Sequence, residues 1–257
     1  MKLQSRSTWA WPYALFLLCL VALPLVLIGV YAFTDVEGHF TIQNFVSFFT
    51  KSEAINTFIY SMAIALITTI ICLLLGYPAA YIMAMADFNT PQVIAMLFIL
   101  PMWINFLLRT IATVELFHMF GLPLGEGALL FGMVYDFLPF MIYPIYNTLQ
   151  KMDTSLIEAA HDLGANRVQV FSKVTLPLSM PGIYSGIVMV FMPTVSTFAI
   201  AELLTHNKIT LFGSLIQRSF GEGGIAMWNY GAALSLIMLI IIGLTSFFGG
   251  DKEDINR

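Results

Sequence analysis

EAAHDLGANRVQVFSKVTLPLSMPGI, residues 158–183, is a polar, helix-forming stretch set between long apolar runs. It carries Glu158, His161, Asp162, Arg167 and Lys173. Ser155 and Glu158 stand at capping-box spacing, which predicts a helix starting near Ser155. Gly164 is placed to end that helix in a left-handed conformation. Asn166 is placed to cap a second short helix through Val174, with Val168, Phe171 and Val174 on one side. Pro177 and Pro181 are then expected to break the chain. The reading is helix, glycine turn, helix, proline exit: two short helices lying across the mouth of an apolar structure. By residue type alone the segment is equally an amphipathic interfacial loop in which Glu158 only caps.

The surroundings set the fold class. Of 257 residues, 59% are hydrophobic and 10% charged, against about 25% charged in a soluble domain. Six runs are long enough to cross about 30 Å of hydrocarbon at ~1.5 Å per residue. They lie at about 9–33, 55–85, 93–117, 128–149, 182–204 and 228–248. The expectation is an all-α polytopic membrane protein, with residues 1–257 forming a single transmembrane domain. The first run follows Lys2 and Arg6 as a signal peptide would, but it is too long for an h-region and ends without a small-residue cleavage site. It reads as a retained span. Cys19 and Cys72 both fall in apolar runs and read as buried small hydrophobes.

Orientation follows from the basic residues. With the N-terminus inside, Lys2, Arg6, Lys151, Arg167, Lys173, Lys252 and Arg257 are cytoplasmic, and Lys51, Lys208 and Arg218 lie outside. That bias puts both termini, and the opening stretch, in the cytoplasm. The formal charge of -4 says little about partners.

The spacing of Glu158-Ala159-Ala160, Gly164-Ala165, Phe171, Leu176-Pro177-Leu178 and Pro181-Gly182-Ile183 resembles the cytoplasmic loop of type I ABC importer permeases. Further matches point to the polyamine branch of these permeases, the B-type subunits of spermidine/putrescine importers. These are Leu75-Gly-Tyr-Pro78-Ala-Ala-Tyr81, Pro101-Met-Trp103-Ile-Asn105-Phe-Leu-Leu-Arg109-Thr and Leu138-Pro-Phe-Met-Ile-Tyr-Pro144. The resemblance spans roughly residues 10–248, although the outer segment between the third and fourth spans is short against the family pattern. It implies six transmembrane helices and a coupling segment, 153–176, in which Glu158, Ala159, Ala160 and Gly164 meet an ATPase subunit. It also implies a second homologous permease subunit, an ABC ATPase dimer and an extracytoplasmic substrate-binding protein. The chain itself is then no enzyme and holds no cofactor, with ATP and Mg in the partner ATPase. Alternating access would carry spermidine or putrescine across the inner membrane of a prokaryote. A related importer for another small solute is the alternative.

The residues fit that division of labour. The chain contains no GxxxxGK[ST] loop, and His39, His118, His161 and His206 form no HExxH arrangement. No catalytic or metal-ligating constellation stands out. A proton-coupled carrier using Asp136 and Arg109 as a charge relay is a competing reading, but it leaves the cytoplasmic motif without a use.

Ionisable groups inside a membrane cost about 2.5–3.5 kcal/mol each on insertion scales, so those present are functional candidates. Asp136 lies roughly 12 Å into the fourth span at ~1.5 Å per residue, with Phe140 and Tyr143 at helical spacings of four and seven. Carboxylates would neutralise ammonium groups, and aromatic faces would attract them. Trp103, Asp136, Phe140, Tyr143 and Glu202 are therefore the candidate substrate pathway. Two alternatives stay open: Arg109 and Asp136 form a structural charge pair, or Glu202 sits hydrated among headgroups.

Overall fold

The computed structural model describes residues 4–85, 96–221 and 224–250. Among them no β-strand forms, and Thr34 and Phe40 make one isolated bridge. The helices are α1 (Trp11–Ala32), α2 (Gln43–Thr50), α3 (Ser52–Met85), α4 (Met96–Trp103), α5 (Phe106–Met119) and α6 (Glu126–Gln150). Then follow α7 (Ser155–Asp162), α8 (Arg167–Ser196), α9 (Ala199–Thr205), α10 (Phe212–Gly221) and α11 (Gly224–Gly250). Among the described residues five helices are long and apolar enough to span a membrane, and α4 with α5 makes a sixth if that bent pair is one span. Contacts divide the chain into two units: Met1–Asn56 with Leu215–Ile241, and Thr57–Ser214 with Ile242–Arg257.

In the first unit, Ala32, Ala232 and Ala233 form a small core with Ile28, Phe45 and Leu236 packed on it. The Asn229 side-chain amide donates to the carbonyls of Thr34 and Asp35, and that of Asn44 donates to Ala32 and Thr34. These bonds satisfy backbone groups freed where α1 ends. Cys19 is exposed on α1, unlike the buried position expected for it; Cys72 is buried.

The second unit is built on α6 against α8. In lipid, apolar surface gains little by meeting apolar surface, so helix pairs rely on close packing and small residues. Gly182 and Gly186, one turn apart on α8, supply the close approach. A Cβ at Gly182 would stand 2.6 Å from Thr148 Oγ1 and 2.8 Å from the Pro144 carbonyl oxygen. One at Gly186 would stand 2.7 Å from Met141 Sδ. Around this contact Met141, Ile142, Ile145, Leu149, Ile183 and Val190 pack with Cys72, Tyr77, Ala80 and Met83 of α3. A buried hydrogen bond between the Tyr77 and Ser179 hydroxyls, 3.0 Å, ties α3 to α8.

Three expectations are corrected. The third span is not one straight helix: α4 and α5 meet at 99°, and residues 93–95 of the expected run lie outside the described residues. Pro101 sits in a 3-10 turn, Ile104 is extended, and Asn105 starts a new helix by accepting from the Leu107 N–H at 2.9 Å. The fifth span begins earlier than expected and ends earlier, since α8 stops at Ser196 and α9 follows after extended Thr197. Pro177 and Pro181 do not break the chain. A π-turn at Phe171–Thr175 shifts the hydrogen-bond register immediately before Pro177, with the Leu176 N–H reaching back to the Phe171 carbonyl. The missing proline N–H then falls at the change of register, and the helix runs on.

Candidate functional site

Two helix interruptions meet at one cavity of the second unit. Irregular backbone at membrane depth is tolerated where it lines a cavity or is buried in protein. Here the Ile104–Asn105 break and the Ser196–Phe198 break both line a space of about 650 Å³. Trp103, Asn105, Phe106 and Arg109 form one wall, Phe137 and Phe140 of α6 another, and Pro193, Ser196, Thr197 and Phe198 a third. Five aromatic rings, Trp103, Phe106, Phe137, Phe140 and Phe198, contribute to the walls.

Arg109 and Asp136 are almost wholly buried, at 6% and 1% exposure. Arg109 Nε lies 3.2 Å from Asp136 Oδ1, and Nη2 lies 3.4 Å from the Asp136 carbonyl oxygen. The Thr110 hydroxyl donates to Asp136 Oδ2 at 3.1 Å. The guanidinium also stands 5.7 Å from the Tyr135 ring centre. Arg109 Nη1 is buried with no hydrogen-bond partner among the described residues. Arg109 reaches the cavity and Asp136 does not line it, so the cavity meets the cationic member of the pair.

The opening stretch forms a second feature. α7 begins at Ser155 as expected, but the cap comes from elsewhere. The Asp153 carboxylate accepts the Ser155 N–H at 3.0 Å, which replaces the Ser155–Glu158 capping box. An Asp two residues upstream makes the same bond without recruiting Glu158. Hydrogen bonds from the Ser155 hydroxyl and N–H hold the Asp153 carboxyl below the usual carboxylate range. That cap is therefore intact at neutral pH and is lost only as pH falls through the lowered value.

Gly164 takes φ +83°. Its N–H bonds the His161 carbonyl at 2.9 Å, and the Ala165 N–H bonds the Ala160 carbonyl at 3.0 Å. This double closure satisfies two carbonyls at the end of α7. Asn166 then caps α8 reciprocally with Gln169, each bond 2.9 Å. Of the expected apolar side, Phe171 and Val174 are half-buried, but Val168 is 74% exposed and Val170 is buried in its place. The Phe171 ring stands edge-on to Tyr77 and Tyr81, at 5.8 and 5.6 Å. A helix starting at Arg167 and passing through a π-turn rotates these positions away from a simple 3.6-residue count.

With both features in place, comparison with known proteins decides the family. Residues 76–250 match the family described as the binding-protein-dependent transport system inner membrane component. The chain belongs to that family. Among its relatives is the spermidine/putrescine transport system permease protein PotB of Escherichia coli strain K12. That protein is 36% identical over 203 residues, which is 72% of this chain and 73% of the relative. The protein of the same name from Haemophilus influenzae is 33% identical over 255 residues, 90% of this chain and 88% of that one. Solved structures share the fold at lower identity. A bacterial ABC transporter that imports the acidic polysaccharide alginate aligns with a TM-score of 0.74 at 14% identity, covering 98% of this chain and 96% of that chain. The MetNI methionine ABC transporter, in an inward-facing form, aligns at 0.64 and 18%, covering 79% and 96%. The fold is that of type I ABC importer permeases.

In this inner-membrane component the candidate residues separate. Trp103, 86% exposed, and Phe140 share the cavity. Tyr143 is exposed and Glu202 half-buried, and neither lines it. Glu158 and Ala159 are exposed on α7, and Ala160 is half-buried. Asn105, Phe106 and the Ser196–Phe198 wall were not anticipated. Their signal was present: Pro101 followed by the N-cap residue Asn105, and Pro193 followed by Ser196 and Thr197.

Proposed function

We propose that the chain is a membrane-spanning, non-catalytic subunit of an ATP-driven importer for spermidine or putrescine. The observation that carries the coupling half of this reading is the exposed outer face of α7. Glu158 and Ala159 are uncovered there, and Leu163, 90% exposed, stands at the glycine turn. A small-residue face with a bare leucine at a rigid turn suits docking against another protein. In this proposal segment 153–176 meets an ATPase dimer that carries ATP and Mg. Glu158 bonds that partner, Ala159 and Ala160 permit close approach, and Gly164 fixes the turn. A second permease completes the passage, a substrate-binding protein delivers the solute, and both termini lie in the cytoplasm.

Polyamines are proposed from the named relatives together with the aromatic cavity. Trp103, Phe140 and their neighbours offer ring faces to ammonium groups at about 0.5–2 kcal/mol each. A second reading, a related importer for another small solute, draws support from Arg109. A cation with an unpartnered buried N–H suits an anionic or acceptor-rich solute better than a polycation. Uptake into vesicles holding the assembled complex separates the two. Labelled spermidine uptake that unlabelled putrescine suppresses and amino acids or sugar acids leave unchanged supports the polyamine reading. The opposite competition pattern selects the second, and failure to co-purify with an ATPase sinks both. Orientation has its own test in a Cys19→Ser/Cys72→Ser background. An impermeant thiol reagent outside the cell should label Cys substituted for His206, and should label Cys substituted for Arg167 only after permeabilisation.

A further inference from the structure

Behind α7 lies a smaller cavity, about 270 Å³, lined by Tyr81, Ile157, His161, Arg167, Val170 and Thr175. It has room for roughly nine waters at about 30 Å³ each. Three elements build it: α3 contributes Tyr81, α7 contributes Ile157 and His161, and α8 contributes the rest. Its four polar side chains share one property. The Tyr81 and Thr175 hydroxyls, the Arg167 guanidinium and an imidazole N–H of His161 are all hydrogen-bond donors. No carboxylate lines the space, and among the described residues no carboxylate stands within ion-pair distance of Arg167. Thr175, one of these donors, is 1% exposed, and Arg167 is exposed. A donor-rich pocket lined by a permanent cation suits a ligand that only accepts.

We propose that this cavity binds a phosphate-type oxyanion, held by Arg167 and His161 and braced by Tyr81 and Thr175. Charge-assisted bonds from a guanidinium to phosphate oxygens are about twice as strong as neutral ones. Tyr81 lies one turn from the end of α3 at Met85, where an apolar helix leaves the hydrocarbon. A lipid headgroup reaches that depth, and so does free phosphate. An anion seated here joins the docking helix α7 to α3 and α8, so occupancy stiffens the connection between the exposed helix and the span.

The test uses the full chain, reconstituted in phosphatidylcholine nanodiscs with or without phosphatidylglycerol. Labelled inorganic phosphate is measured by equilibrium binding, and retained phosphatidylglycerol by native mass spectrometry. Saturation at about one per chain is expected for at least one probe, with affinity falling roughly tenfold in Arg167→Gln, the loss of about 1.4 kcal/mol. His161→Gln should weaken binding less, and Lys208→Gln, remote from the cavity in sequence, should leave it unchanged. Tyr81→Phe keeps the ring that packs on Phe171 and removes one donor, so reduced binding there excludes simple misfolding. Retention of phosphatidylglycerol alone assigns a lipid headgroup, and phosphate binding in its absence assigns the free anion. Binding of neither probe, or equal binding in wild type and Arg167→Gln, overturns the proposal; the first is also the result if an acidic side chain of a partner protein fills the cavity.

Discussion

Gly164→Val is expected to leave the apolar helices inserted and to cut substrate-stimulated ATP hydrolysis of the assembled complex by roughly tenfold. The argument is local. Gly164 holds φ +83°, and a Cβ built there meets nothing within 4 Å. Within this chain the cost is therefore backbone strain rather than collision. The left-handed conformation costs an L-residue about 1–2 kcal/mol, and a β-branched side chain is among the worst cases. Since about 1.4 kcal/mol is a factor of ten, the closed turn loses roughly that much population. With it go the bonds from Gly164 and Ala165 to the α7 carbonyls. Asparagine tolerates the left-handed region, so Gly164→Asn should restore most of the coupling if the turn is what matters. If a partner's groove demands the bare backbone, Asn and Val fail alike. Normal complex yield and normal stimulated hydrolysis in Gly164→Val would exclude a docking role for the turn.

The turn was legible because its chemistry is short-ranged. Gly164 after a helix-forming run, then Asn166 ahead of another, specifies two caps without reference to the rest of the chain. The spans were legible for the same reason: length and apolarity are counted along the sequence. What stayed hidden depends on partners distant in sequence. Pro177, which the helix absorbs after a π-turn, and Pro101, which precedes a 99° bend, differ only partly in local signal. The difference lies in Phe171 packing between two α3 tyrosines and in Asn105 supplying a fresh cap. Helical spacing put Asp136, Phe140 and Tyr143 on one stripe. The structure distributes that stripe over a buried charge contact, a cavity wall and an exposed surface, because a stripe about 100° wide touches more than one neighbour. The sequence offered Arg109 and Asp136 as a charge pair among open alternatives, and their contact across 27 positions is seen only in the fold.

That juxtaposition sets the second large expectation. Asp136→Asn should lower the thermal stability of the detergent-solubilised complex more than it alters selectivity among charged substrates. The substitution keeps shape and one acceptor, and so retains the Thr110 contact. It removes the charge 3.2 Å from Arg109 Nε. A buried guanidinium then remains, with no hydrogen-bond partner at Nε or Nη1 among the described residues. Breaking one side of a buried pair typically costs about 3–5 kcal/mol, because the surviving charge stays desolvated. Arg109→Gln leaves the opposite orphan, a buried carboxylate, which can relieve itself by taking up a proton. Its penalty should therefore be the smaller of the two. The double variant Asp136→Asn/Arg109→Gln replaces two charges with two amides able to bond each other, and should recover a large part of the stability lost by Asp136→Asn. Uptake gives the independent axis. If Asp136 attracts ammonium groups directly, uptake by Asp136→Asn falls further for spermidine than for putrescine, and the double variant does not restore it. If its role is to hold Arg109 against the cavity wall, uptake follows stability and returns with the double variant. Unchanged melting temperature and unchanged uptake in Asp136→Asn would remove this carboxylate from both roles, and would leave the aromatic walls at Trp103 and Phe140 as the chain's contribution to the passage.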